Sequence, residues 1–123
     1  MTERRIILEM GTGNDLYGED YTKAACRAVQ DALHHSSIVL FKSLGYDHHD
    51  MRVQVTIGVQ QPDKIDLSTV QAQLPRGRAQ VRAVLGGLNV QDPEQDTVHV
   101  IATAAIEAFL PIEQGHWRLS ADA

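Results

Sequence analysis

A repeat of apolar residues with helical spacing is the clearest pattern in the chain, and it covers residues 21–34. The apolar positions follow one another at intervals of three and four, so that they line one side of a helix. They are Tyr21, Ala24, Ala25, Ala28, Val29, Ala32 and Leu33. Asp20 precedes them and is a residue type that caps helices by accepting from the first N–H groups. The pattern predicts a helix, Tyr21–His34, whose alanine surface can lie close to a sheet.

Four segments are predicted to form strands. They are Arg5–Met10, Met51–Val59, Gln80–Leu88 and Thr97–Phe109. Apolar and polar residues alternate most clearly in the second segment, which is the pattern of a strand with one buried face. The pair Gly86-Gly87 is expected to bulge or bend the third strand. The alanines of the fourth segment leave residues 104–110 open to strand or helix.

The connecting segments differ in how well the sequence defines their structure. Gly11–Gly18 and Asn89–Asp96 are predicted turns, and Leu67–Leu74 is a predicted short helix. Ser36–Leu44 is either a helix extension or a buried connection, and Gly45–Asp50 is a predicted loop.

The resulting element order, β-α-β-(α)-β-β, predicts an α/β (α+β) fold. Its simplest form is a two-layer sandwich in which helices cover one face of a mixed sheet of about four strands. The first β-α-β unit is expected to cross over right-handedly and to pair its strands in parallel. At 123 residues the chain is predicted to be a single domain, 1–123, with residues 111–123 as a candidate tail.

The second face of the predicted sheet has no helix to cover it. It is either a solvated face or an interface between copies of the chain packed around an axis, which would make the protein a homo-oligomer. The residues expected on this face are Glu9, Arg52, Gln54, Thr56, His99 and either Gln80 or Arg82.

Composition and charge narrow the classes of function. The net charge of −5 and the pI near 5.6 argue against a nucleic-acid partner. No run approaches about 18 apolar residues, so no membrane partner is predicted. Cys26 is the only cysteine, which excludes an intramolecular disulfide and fits a reducing compartment. The first ten residues, MTERRIILEM, lack the features of a signal peptide, and a cytoplasmic location is expected.

Residues 11–18, GTGNDLYG, are the best candidate for a functional site. Their glycines bring bare backbone close to a ligand, and the helix that follows begins with unpaired N–H groups. Leu16 stands where a dinucleotide fingerprint has its third glycine, and no P-loop lysine follows. The segment is either a site for an anion, a carbonyl or a metal, or a tight turn that needs glycine for its conformation alone. The predicted ligand-binding residues are Gly11, Thr12, Gly13, Gly18, Asp20 and Thr22.

Three residues of this region carry groups suited to catalysis. Asp15 is the candidate acid or base, and its alternative role is to bond the backbone of its own turn. Tyr17 and Lys23 are candidates for stabilising negative charge on a substrate oxygen. The alternative for Tyr17 is packing over the turn, and the alternative for Lys23 is a solvated surface position. A lysine near a helix N-terminus opposes the dipole, which favours an anionic partner beside it.

These residues resemble the motif GxGxDxHG of a family of small conserved hypothetical proteins, which occur in bacteria and, with a long extension, in plants. Gly11, Gly13, Asp15 and Gly18 match the motif, whereas Tyr17 stands where the family has histidine. Residues 20–25 and 27–29 are also similar to the family. The resemblance implies a shared site and names no reaction. The tyrosine makes metal binding or a proton relay by an Asp-x-His pair less favourable.

A metal site has weaker support in the sequence. The run Asp47-His48-His49-Asp50 offers imidazole and carboxylate ligands, but adjacent ligands seldom wrap around one ion. His48 and His49 are therefore weak candidates, and no metal or other cofactor is predicted.

The sequence favours an enzyme or ligand-binding protein that acts on a small polar or anionic metabolite at the Gly11–Gly18 turn. Its predicted partners are that small molecule and further copies of the chain. The alternative is a structural homo-oligomer or assembly protein in which the turn only packs.

Overall fold

The protein is a five-stranded mixed sheet with two helices on one face, in a computed structural model that describes residues 2–34, 51–74 and 78–112. The elements are β1 (Thr2–Asp15), α1 (Tyr21–His34), β2 (Arg52–Val59), α2 (Leu67–Gln71), β3 (Arg78–Leu85), β4 (Leu88–Asp92) and β5 (Thr97–Ile112). A 3-10 turn, Pro62–Lys64, precedes α2. The predicted α/β two-layer class is confirmed. Within the described parts of the chain, no helix is long and apolar enough to cross a membrane.

The long strand β5 organises the sheet. The strand order is β1-β5-β2-β3, and β4 pairs with the first part of β5 on the same side as β2. Every pair is antiparallel except β2 and β3, which are parallel and are connected through α2. The expected parallel pairing across the first β-α-β unit is wrong, because β5 lies between β1 and β2 and pairs with both.

The glycine pair at residues 86–87 ends a strand instead of bending it. Gly87 has a φ of +61°, and a Cβ there would lie 2.3 Å from the carbonyl oxygen of Ile101. The chain therefore turns tightly, and β4 begins at Leu88, within a region predicted to be a strand end and a turn. This adds the fifth strand. Residues 104–110 are strand throughout.

The Gly11–Gly18 turn is shorter than predicted. Strand β1 continues to Asp15, and only residues 16–18 bend away from it. Gly11 and Gly13 lie under α1, where a Cβ on Gly13 would be 2.3 Å from the backbone nitrogen of Ala28. Their lack of side chains lets the helix rest directly on the strand.

The core lies between α1 and the sheet, as the alanine stripe predicted. Six residues of the stripe are at most 5% exposed: Tyr21, Ala24, Ala25, Ala28, Val29 and Ala32. They pack against alternate residues of β2 and β5, including the fully buried Val55, Ile57 and Val100. The small side chains of the stripe fit a close approach between helix and sheet.

The second face of the sheet is covered by no described element, and we call it the open face. Arg52, Gln54, Thr56 and His99 lie on it, as expected from strand alternation and pairing. Glu9 does not, because it shares the side of Gly11 and Gly13. Residues 36–44 and 45–50 lie outside the described residues. Of the candidate tail, 111–123, residues 111 and 112 belong to β5, and the rest lies outside the described residues.

Candidate functional site

Asp15 is the last residue of β1, and its carboxylate holds the following loop. It is the one buried polar or charged residue among those the structure describes, with 5% exposure. Its Oδ2 accepts a hydrogen bond from the N–H of Asp20 at 2.8 Å, and its Oδ1 lies 3.7 Å from Nη1 of Arg27. A Cβ on Gly18 would lie 2.9 Å from Oδ2, so a glycine at this position leaves room for the carboxylate. The loop therefore closes over Asp15.

The start of α1 is built by two further acidic residues. Asp20 caps the helix, since its Oδ1 accepts from the N–H of Lys23 at 3.0 Å, which confirms the predicted cap. Glu19 has a φ of +48°, a backbone conformation that residues other than glycine rarely adopt. Its Oε1 accepts from the N–H of Val98 at 3.0 Å, which ties the loop to the start of β5.

Two cations project from the first turns of α1. Arg27 donates from Nη1 to the carbonyl oxygen of Asn14 at 2.5 Å, in addition to its ion pair with Asp15. Lys23 lies one turn earlier on the same side of the helix and is exposed. Its ammonium group makes no hydrogen bond or ion pair with the described residues. Arg27 is thus committed to the strand end, whereas the charge of Lys23 is available to a ligand.

A pocket of about 410 Å³ lies between this loop and the helix start. It is lined by Asp15, Leu16, Tyr17, Gly18, Asp20, Lys23 and Arg27. The three predicted catalytic residues are therefore brought together, with two of the predicted ligand-binding residues. Arg27 is a site residue that the sequence analysis missed. Its position four residues after Lys23 on the polar side of the helix was the available signal.

Four of the predicted ligand-binding residues lie elsewhere. Gly11 and Gly13 are buried beneath α1, and the N–H of Thr12 donates to Oδ2 of Asp31 at 3.0 Å. Thr22 faces α2, because its Oγ1 accepts from the N–H of Asp66 at 2.9 Å. None of the four lines the pocket at the loop.

The loop is also held from the open face by His99. Its Nδ1 lies 2.6 Å from the carbonyl oxygen of Leu16, so this nitrogen donates a proton to the carbonyl. Its Nε2 is 3.5 Å from Oδ2 of Asp92, and Tyr17 meets the imidazole ring edge-on at 6.1 Å. No pattern in the sequence indicates this contact, because it depends on the register between β1 and β5, in which Asp15 pairs with Val100.

Tyr17 has the open position that a ligand contact requires. The residue is 70% exposed, and its ring contact is with His99.

Cys26 lies on α1 outside this pocket. Burial raises the pKa of its thiol, and the charges of Asp20 and Asp66 raise it further. A thiol of this kind is a poor nucleophile near neutral pH.

No group of three histidine, cysteine, aspartate or glutamate side chains in residues 2–34, 51–74 and 78–112 is placed to hold a metal ion. His48 and His49 lie outside the described residues. The pocket at the loop instead offers the charge of Lys23 beside the N-terminus of a helix, and both favour negative charge. The carboxylates of Asp15 and Asp20 also line the pocket and would repel an anion. Each accepts a hydrogen bond from a backbone N–H group, which offsets part of that repulsion.

Comparison with known proteins identifies relatives of unestablished function. The sequence pattern of a family described as conserved hypothetical protein (Lin0512_fam) matches residues 5–108. A crystal structure of an FtsZ-like protein of unknown function from Nostoc punctiforme PCC 73102 shares 32% identity and has a TM-score of 0.79. The alignment covers 91% of this chain and 99% of that one. No curated protein matches the sequence. The chain belongs to the Lin0512 family of conserved hypothetical proteins.

Proposed function

We propose that this protein binds a small anionic metabolite in the pocket between residues 15–20 and the first turns of α1. The observation that carries the proposal is the position of Lys23, which makes no ion pair with a described residue, at a pocket of about 410 Å³ beside the N-terminus of α1. A volume of this size accommodates a small molecule. The Nostoc relative is described as having unknown function, so the proposal rests on geometry alone.

The residues of the pocket have different roles in this proposal. The ammonium group of Lys23 contacts the negative charge of the ligand, and the positive end of the α1 dipole adds to the attraction. The exposed hydroxyl of Tyr17 is placed to donate to a ligand oxygen. Asp15 positions the loop through Asp20 and Arg27. Its action as an acid or base in a reaction stays a prediction.

A titration with inorganic phosphate tests the proposal, with backbone amide chemical shifts as the readout. Saturable shifts are expected for residues 16–23, and Lys23→Ala should weaken phosphate binding at least about ten-fold, as expected for loss of a charge-assisted contact. Arg4→Ala is the matched control, because it removes one positive charge from the opposite end of β1. Equal weakening by both variants, or shifts outside the loop, would overturn the proposal.

A structural role for the same segment is the second candidate function. The burial of Gly11 and Gly13 under the backbone of α1 supports it, because packing alone explains why these residues are glycines. In this case the protein is a homo-oligomer, and phosphate causes no saturable shift at the loop. The phosphate titration therefore separates the two candidates.

A further inference from the structure

His99 lies at the boundary between the open face of the sheet and the loop that forms the pocket. Its Nδ1 donates to the carbonyl oxygen of Leu16 at 2.6 Å, and Leu16 lines the pocket. The rings of His99 and Tyr17 are nearly perpendicular, at 85°, and Tyr17 also lines the pocket. The position of His99 therefore affects two pocket residues, although His99 itself lies outside the pocket.

The other ring nitrogen of His99 faces a carboxylate that the β4–β5 turn holds in place. Nε2 lies 3.5 Å from Oδ2 of Asp92, and the two side chains are only 24% and 21% exposed. Oδ1 of Asp92 accepts from the backbone N–H groups of Glu94 and Gln95, at 3.1 and 3.3 Å. These bonds keep Oδ2 towards the imidazole. Because both groups are largely buried, salt and water screen this contact less than they screen an ion pair on the open surface.

The charge on His99 decides whether this geometry is favourable. A neutral imidazole has one N–H group, and here Nδ1 donates it to the carbonyl of Leu16. The bare Nε2 then faces the negative charge of Asp92 and has no hydrogen to donate. Protonation places a hydrogen on each nitrogen, so that both acceptors receive a donor. Histidine side chains ordinarily gain or lose this proton between about pH 5 and about pH 8.

The charged groups that the neighbouring elements bring towards His99 are acidic. They are Asp92 on β4, Glu19 in the loop, and Glu94 and Asp96 in the β4–β5 turn. Tyr17 is the other titratable residue at the ring. The cations of the pocket, Lys23 and Arg27, belong to α1, on the opposite face of the sheet. A positive charge on His99 is therefore placed among negative groups, at the side of the pocket that α1 does not reach.

We propose that His99 positions the pocket loop and, by taking up a proton, strengthens the binding of an anion in the pocket. The protonated ring is held between Leu16 and Asp92, which fixes the loop in the conformation that forms the pocket. Its charge lies beside a peptide group that borders the pocket, and it adds to the attraction of Lys23 for an anion. Binding therefore becomes tighter as the pH falls. This inference rests on the proposed function, since it concerns the regulation of the same pocket.

A titration with sulfate at about pH 5.5 and about pH 7.5 tests the proposal, because histidine is mostly charged at the first value and mostly neutral at the second. Sulfate keeps its charge between these values, whereas phosphate itself loses a proton. The dissociation constant, measured through the amide shifts of residues 16–23, should be about two- to five-fold lower at the lower pH, as expected for one partly exposed charge contact.

His99→Gln should remove most of this pH difference, since its amide can still donate to Leu16 but does not titrate. His34→Gln is the matched control, because His34 is an exposed histidine at the far end of α1, and this variant should keep the difference. Circular dichroism shows whether each variant is folded. If His99→Gln is not, Asp92→Asn takes its place and should reduce the difference, because an amide can donate to the neutral ring and accept from the charged one.

The outcomes separate this inference from the proposed function. Sulfate binding that is equally strong at both pH values in the natural chain would overturn the inference alone. A pH difference that is as large in His99→Gln as in the natural chain would do the same. No sulfate binding at either pH would overturn the proposed function and the role of His99 together.

Discussion

Replacement of Gly13 by alanine should strongly destabilise the protein, because α1 rests on the backbone of β1 at this point. A Cβ on Gly13 would lie 2.3 Å from the nitrogen of Ala28 and 2.4 Å from the oxygen of Ala24. Ordinary contacts of a Cβ begin at 3.4 Å, so the helix must move away by about 1 Å. Both neighbours are backbone atoms and cannot rotate aside.

The expected cost can be estimated from this displacement. Overpacking in a filled core costs about 1–3 kcal/mol, and the loss should reach about 3 kcal/mol because the whole alanine stripe is lifted from the sheet. For a domain of this size that loss corresponds to a decrease in Tm of about 10 °C. Urea denaturation followed by circular dichroism measures the free energy of unfolding.

Asn14→Ala is the matched control for this substitution. Asn14 is the next residue on β1, its side chain is exposed, and its contact with Arg27 is made by its backbone oxygen. The free energy of unfolding of this variant should stay within about 0.5 kcal/mol of the natural chain. A loss below about 1 kcal/mol for Gly13→Ala would refute the close packing of α1 on β1.

Three further outcomes follow from the structure. Asp15→Ala should lower the free energy of unfolding by about 1–3 kcal/mol in urea denaturation, because it leaves the N–H of Asp20 without its acceptor. Hydrogen bonds from Ser68 and Thr69 lower the pKa of Asp66, so its contribution to stability is present above its ordinary pKa and is lost as the pH falls through the lowered value. Thermal unfolding at a series of pH values measures this. Below about pH 4 the Tm of Asp66→Ala should fall less than the Tm of the natural chain. Because burial raises the pKa of Cys26, a thiol reagent at pH 8 should modify it more slowly than free cysteine, and urea should abolish the difference.

The fold was largely predictable because its strongest pattern is local. The alanine stripe of α1 and the alternation in Met51–Val59 each describe one element facing one core. The position of β5 between β1 and β2 was not predictable, since it depends on contacts between the two ends of the chain. The strand break at Gly86-Gly87 was misjudged for a similar reason. Gly87 must fit against the carbonyl of Ile101, and no local pattern reports that contact.

The site was predictable in part. The cap by Asp20 and the proximity of Asp15, Tyr17 and Lys23 follow from their positions around one helix start. The roles of Gly11 and Gly13 were ambiguous, because a glycine that admits a ligand and one that admits a helix look alike in sequence. Only the tertiary structure shows that α1 occupies the space above these two residues.

The most direct test of the ligand proposal is a comparison of phosphate binding by the natural chain and by Lys23→Ala, measured through the amide shifts of residues 16–23. Saturable shifts in the natural chain, at least ten-fold weaker in the variant and unchanged in Arg4→Ala, are the predicted result. Amide shifts that are absent, or identical in all three proteins, would contradict an anion site at the start of α1.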